Sequence, residues 1–420
     1  MTERLARVIG APGAVLLGLG SMLGTGIFVS VGTAAGVAGP AVLLAVVLAA
    51  LVAALNGLSS AELAASHPVS GGTYEYGYRY LGPALGFTAG WMFLWAKSAS
   101  AATAALGFAG YALAACGLES APLRSALAVL GIGALGLLGA HGMQRTSRVN
   151  ALVVGFTLVV LLVFVVSGLS RAAIPGPADL GEPRALFEAT ALMFVAYTGY
   201  GRIATLGEEV REPERNIPRA IVLCLVASAV LYALVTAVAL GVLGADGLAR
   251  ATRATGAPLE LAARELGSPL VVWLLRVGAV TAMLGIALNL LLGLSRVLLA
   301  MARRGDAPRA LARLTGEPAA PQRAVAATTA LVAALALCGD VKLTWSLSAF
   351  SVLVYYAITN LAALQLPAGA QRHPRWIPVA GLVACLGLAF WVEPRAWAAG
   401  LALIAVGLVW HTFARRVRAV

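Results

Sequence analysis

Charge is scarce in this chain, and negative charge scarcer still. Only 11% of its 420 residues are charged, with 18 acidic side chains against 30 basic ones. Soluble domains carry roughly 25% charged residues, so a water-soluble fold is excluded. Cysteine is sparse too. Cys116, Cys224, Cys338 and Cys385 include no C-x-x-C pair, which speaks against a disulfide framework or a zinc site. The four histidines, His67, His141, His373 and His411, fall at span edges or loops. No H-E-x-x-H and no carboxylate pair lies at membrane depth, so an intramembrane enzyme lacks its nucleophile, base or metal ligands. No cofactor is expected, and one buried lysine with local helix breaks fits a discrete site better than the continuous polar stripe or charged rings of a channel.

What fills the chain is apolar. Hydrophobic residues make up 60%, in runs of about 20 residues that can each cross a roughly 30 Å hydrocarbon layer. The reading is twelve spans, at 12–37, 40–66, 84–115, 122–141, 148–170, 185–209, 218–243, 270–301, 323–339, 344–365, 375–392 and 396–413. The first is too long, and too closely followed by others, for a cleavable signal. A longer segment from Gly244 to Pro269, with Arg250, Arg253, Glu260, Arg264 and Glu265, reads as a surface helix on the outer side.

The net charge of +12 does not indicate nucleic acid, because the basic residues are scattered between spans rather than gathered on one face. With the N-terminus (Arg4, Arg7) in the cytoplasm, the inner segments hold roughly 18 Lys/Arg against roughly 8 outside. Both termini are then cytoplasmic, in an inner membrane. The sequence assigns no oligomeric state.

Two spans are abnormal. Span 1 carries Gly18, Gly20, Gly24 and Gly26 within nine residues, and each weakens a helix by about 1 kcal/mol relative to alanine. Span 6 carries Tyr197-Thr198-Gly199-Tyr200-Gly201-Arg202. Backbone freed from helical pairing at membrane depth survives only against protein or a wet cavity. Two breaks five spans apart suit two inverted repeats whose first helices are both discontinuous. A broken helix offers unpaired N–H groups to an anion and unpaired C=O groups to a cation. Side by side, two breaks make a receptor for a zwitterion. The amides of Thr25 and Gly26, with the Thr25 hydroxyl, face its carboxylate; the carbonyls of Met22, Leu23 and Val195 to Thr198 face its amine.

The motifs around these breaks resemble those of the amino acid–polyamine–organocation (APC) superfamily. They are GSMLGTGIF in span 1, PVSGGTYEYGYRYLG after span 2, FVAYTGYGRIATLGEEVREPERNIPRAI in span 6 and SRVLLAMARRGDAPRALA ending span 8, in the family's order over about three quarters of the chain. The resemblance implies an all-α polytopic protein with the leucine-transporter fold. Its 5+5 inverted repeat would occupy 1–171 and 172–366, with two appended spans in 367–420. It implies secondary active transport of amino acids by alternating access, with an exporter or sensor on the same scaffold as alternatives. It implies substrate contacts at Met22, Leu23, Gly24, Thr25 and Gly26 and at Val195, Ala196, Tyr197, Thr198 and Gly199. Many relatives place a large aromatic where Val195 stands, and some a glutamate where Gly201 stands. Neither is present; the missing aromatic implies either a different lid, Tyr197 or Tyr200, or room for a bulkier substrate side chain.

Lys97, well inside span 3 and beside Ser98, Ser100 and Thr103, is the one deep cation. A charge at a helix centre costs at least about 2.5–3.5 kcal/mol and is a functional candidate by default. It is expected to act as a fixed or titrating cation near the site; a structural lysine on backbone carbonyls is the alternative. Sodium is disfavoured, because 282–294 of span 8 holds no hydroxyl and only Asn289 as a polar side chain. Protons or exchange of one amino acid for another remain as drivers. Glu62, Tyr200, Arg202, Arg296 and the Glu208/Glu209 pair are gate candidates on the cytoplasmic side. With no carboxylate at midplane, neutral substrates are expected over cationic ones.

Overall fold

Proline opens helix after helix in this chain. Pro83, Pro183, Pro213, Pro258, Pro269 and Pro394 occupy first helical positions, and Pro12 and Pro122 second ones. The first turn has N–H groups without helical partners, so proline's missing N–H costs nothing there. The computed structural model describes residues 9–68, 71–141, 147–174, 176, 181–204, 210–315, 320–338 and 341–419. The gate candidates Glu208 and Glu209, like Arg4 and Arg7, lie outside them.

The described residues form seventeen α-helices in order. They are α1 (Ala11–Met22), α2 (Thr25–Phe28), α3 (Ser30–Ala38), α4 (Val42–Ser66), α5 (Thr73–Tyr80), α6 (Pro83–Ala115), α7 (Ala121–Ala140) and α8 (Ser147–Gly168). Then come α9 (Pro183–Tyr197), α10 (Gly201–Ala204), α11 (Pro213–Ala254), α12 (Pro258–Glu265), α13 (Pro269–Arg304), α14 (Gln322–Cys338), α15 (Val341–Leu364), α16 (Trp376–Trp391) and α17 (Pro394–Ala419). Among the described residues there is no strand, only isolated bridges at Ile9–Val210 and Thr315–Ala320. Among the described residues, eight helices are long and apolar enough to cross a bilayer, and shorter apolar helices run among them at Ala11–Met22, Gln322–Leu337 and Trp376–Trp391. The chain is a multi-pass membrane protein. Its outward faces carry bare aliphatics, with Leu152 and Val166 each 73% exposed, as a surface against lipid tails requires.

The core lies where α6 packs on α13 and α15, and α4 on α9 and α11. Two ends can be told apart by their polar contacts. At the near end, where α1 begins, Arg211 N–H donates to Ile9 O, Arg372 pairs with Glu214, and Tyr74 and Tyr78 donate to Asp306. At the far end, Lys342 lies between Glu188 and Glu393, and Arg264 pairs with Glu260 and donates to Ala114 O.

The segment expected as a surface helix keeps Arg250, Arg253, Arg264 and Glu265 exposed but is divided between two helices with one face buried. Gly244 takes φ 67°, the left-handed region, and turns α11 back over the far end. Leu248, Thr252, Leu259, Glu260, Ala262 and Ala263 are then buried, with Thr252 and Ala249 against Gly32 and Gly36 of α3. Its charges mislead because Glu260 is neutralised internally, by Arg264 at 2.7 Å and Arg276 at 2.8 Å.

Candidate functional site

The first apolar segment is interrupted where its glycines are densest. Leu23 (ψ 95°) and Gly24 (φ 177°, ψ −118°) leave the helical region, and the chain re-enters at Thr25. Leu23 N–H still closes α1 on Leu19 O, while Ile27 and Phe28 N–H both turn onto Gly24 O. Amides at the head of α2 and carbonyls at the tail of α1 are thereby released from helical pairing. A second irregularity at Val29 separates α2 from α3.

The second segment differs from expectation. Instead of unwinding, α9 tightens into a 3₁₀ turn over Thr198–Tyr200 and continues as α10. The i→i+3 bonding of such a turn still frees carbonyls. The Thr198 side chain doubles that bonding, since its Oγ1 donates to Val195 O at 2.8 Å. One interruption is extended, and the other is a tightened turn.

Glycine lets the two interruptions meet. A Cβ on Gly26 would lie 2.5 Å from that of Ala196, and a Cβ on Gly199 would lie 2.5 Å from Ser21 O. Met22, Leu23, Gly24, Thr25 and Gly26 are buried, as are Val195, Ala196, Tyr197, Thr198 and Gly199, and the two segments touch where Gly26 meets Ala196 and Gly199 meets Met22. Ile286 of α13 covers Gly24. The Thr25 Oγ1 is buried and has no hydrogen-bond partner among the described residues.

Lys97 reaches this place from α6. Its Nζ donates to Thr198 Oγ1 at 3.0 Å, and among the described residues no carboxylate pairs with it. Tyr200 packs on Tyr356 with ring centroids 5.4 Å apart, and the Tyr356 hydroxyl donates to Thr198 O at 3.3 Å. A Cβ on Gly201 would lie 2.7 Å from that hydroxyl, so no longer side chain fits there in this packing.

The remaining gate candidates sit on α4, α10 and α13. Glu62 accepts from the N–H groups of Arg372 (2.8 Å) and His373 (2.5 Å), and lies 2.8 Å from His373 Nδ1. Arg202 is partly buried on α10, and Arg296 is exposed on α13. The carboxylate of Glu62 is thus committed to the 372–373 segment rather than to either arginine.

Sequence reasoning missed three tyrosines. The Tyr232 hydroxyl donates to Met22 O at 2.7 Å and lies 3.3 Å from Ala196 O, joining the two interruptions through α11. The Tyr111 hydroxyl donates to Phe28 O at 2.9 Å, and Tyr356 is the third. A signal was available: a buried phenol needs a partner, and tyrosine deep in an apolar helix finds few except irregular backbone.

The arrangement holds released amides, an unused hydroxyl, a cation and a bridging phenol around two abutting helix interruptions, with no nucleophile–base pair among them. Such a constellation binds; it does not break bonds. Comparison with known proteins agrees. The profile of the amino acid permease family matches residues 13–417. An uncharacterized transporter of Mycobacterium tuberculosis is 43% identical over 97% of this chain and 91% of its own length. The branched-chain amino acid permease BcaP of Bacillus subtilis is 30% identical over 74% of this chain and 70% of its own length. The cationic amino acid transporter 4 of Arabidopsis thaliana is 27% identical over 85% of this chain and 62% of its own length. This chain belongs to the amino acid permease family. It is a membrane transport protein of amino acid permease type, not an enzyme.

Proposed function

We propose that the protein is a secondary active transporter of neutral amino acids, working by alternating access in the inner membrane and coupled to protons through Lys97. The substrate carboxylate rests on the amides of Thr25 and Gly26 and on the Thr25 hydroxyl. Its ammonium rests on carbonyls of Met22, Leu23 and Val195 to Thr198, sharing them with Tyr232. The observation that carries this reading is the interruption at Leu23–Gly24, with a buried and unused Thr25 hydroxyl directly after it. Residues 1–171 and 172–366 act as inverted repeats of five spans, and 367–420 adds two more. Glu62, Tyr200, Arg202 and Arg296 serve the near-side gate.

Neutral side chains are favoured because, among the described residues, no carboxylate pairs with Lys97 or is bonded to the site's side chains to balance a cationic substrate. The likeness to a branched-chain permease and the small Val195 support aliphatic substrates. Lys97, hydrogen-bonded to Thr198, stands where a moving proton can alter the substrate's surroundings. Reconstituted protein should accumulate labelled leucine or alanine when the outside is acidic. Sodium should have no effect, and Lys97→Gln should remove the pH dependence. Unchanged pH dependence in that variant overturns the coupling role. Stabilisation by none of the twenty amino acids in a thermal-shift screen overturns the substrate class.

A further inference from the structure

A row of hydroxyls leads away from Lys97 toward the far end. On α6, Lys97, Ser100 and Thr103 recur at three-residue steps and share one face. On α15, Thr344, Ser348 and Ser351 share another. The two faces meet: Ser100 Oγ lies 2.8 Å from Ser348 Oγ, and Thr103 Oγ1 lies 2.8 Å from Thr344 Oγ1. All five hydroxyl residues are buried. Ser351 stands one step beyond Ser348, as Lys97 stands one step beyond Ser100, and its buried Oγ has no partner among the described residues. At the far end, Lys342, two residues before Thr344 in the chain and so on another face of α15, lies 3.8 Å from Glu188 and 3.7 Å from Glu393, in a partly exposed charged mouth that Arg184 also acts upon.

A helix packing for shape alone needs no such row, since alanine fills the same positions without a polar group to satisfy. Successive rungs on α6 are about 4.5 Å apart along the axis. Two hydrogen bonds of about 2.8 Å meeting at one tetrahedral oxygen span roughly that distance.

We propose that this hydroxyl row is the route by which a proton passes from the far-side mouth to Lys97. The proposal rests on the reading of Lys97 as the coupling group. A carboxylate at the mouth, Glu188 or Glu393, takes a proton from far-side water. The proton enters the row by binding a hydroxyl oxygen, which releases its own proton to the next oxygen, with one water bridging each step. The Lys97 amine takes the last proton as ammonium, and the carboxylate is restored. Release to near-side water returns the amine. No bond other than O–H and N–H is made or broken.

The test uses the full chain in proteoliposomes with a pH-sensitive dye inside. Substrate-driven proton entry is compared with counterflow of labelled leucine, which needs no net proton movement. In the Ser100→Ala/Ser348→Ala and Thr103→Val/Thr344→Val double variants, proton entry should fall about a hundredfold while counterflow persists. Thr103→Ser/Thr344→Ser should restore proton entry, which separates hydroxyl chemistry from packing. Wild-type proton entry in the Ala and Val variants, with Lys97→Gln still defective, overturns the route and leaves the coupling reading intact. Loss of counterflow in step with proton entry assigns the row a structural role and also overturns the route. Absent proton entry in the wild type, or unaffected entry in Lys97→Gln, overturns both.

Discussion

Thr25 separates binding from stability. A buried hydroxyl without a partner costs about 1–3 kcal/mol, so Thr25→Val should leave the thermal midpoint unchanged or slightly higher. If the hydroxyl holds the substrate carboxylate, the same change should weaken uptake about tenfold, the equivalent of roughly 1.4 kcal/mol. Unaltered uptake would remove Thr25 from the site. Gly199 and Gly24 make a second contrast. A methyl on Gly199 meets the Ser21 backbone, which cannot yield without moving α1, whereas one on Gly24 meets the Ile286 Cδ1 at a side-chain tip. Gly199→Ala should cost about 1–3 kcal/mol by overpacking and Gly24→Ala less, as thermal midpoints in detergent can check. None of this contrast was legible in the sequence, where both glycines are equally small residues in an apolar run.

At the scale of elements, α12 and α5 carry the testable electrostatics. The Glu260 carboxylate is 2% exposed and collects two guanidiniums. Glu260→Ala should therefore lower the thermal midpoint clearly. Arg264→Ala should do so less, because Arg264 is 47% exposed and exposed pairs contribute little. On α5, burial first and hydrogen bonding to Asp306 second raise the Tyr74 and Tyr78 phenols well above their usual range. The sign follows from linkage. Unfolded phenols ionise near pH 10 while the folded ones stay neutral, so their contribution is full below that pH and is lost as pH rises beyond it. The thermal midpoint should fall above pH ~10, and Tyr74→Phe/Tyr78→Phe should flatten that fall. The broad placement of these elements was legible in advance: the third span was expected at 84–115, and α6 runs from Pro83 to Ala115. The burial of α12 was not, because its charges resemble those of an exposed helix until their partners are known.

For the whole molecule, the arginine distribution makes a topological prediction. A reporter enzyme active only outside the cytoplasm should be active when fused in the turn at 117–120 and silent when fused at the C-terminus. The near end holds Arg303, Arg304, Arg372 and Arg415, consistent with a cytoplasmic face. The opposite reporter pattern would invert the assignment and with it the direction of the proposed proton route.

The amino-acid order alone determined the class of protein, the course of long apolar helices such as α6, and a weak point among the glycines of the first apolar segment. Each is a local or compositional consequence: apolar length selects a bilayer, proline starts helices, and clustered glycine weakens one. Only the tertiary structure decided that the second interruption is a 3₁₀ turn, that Tyr232 bridges both, and that Lys97 meets Thr198. The physical reason is that lipid is as apolar as the protein interior. Helices of nearly uniform hydrophobicity therefore do not announce which face turns inward, and partners distant in the chain emerge only once the helices are packed.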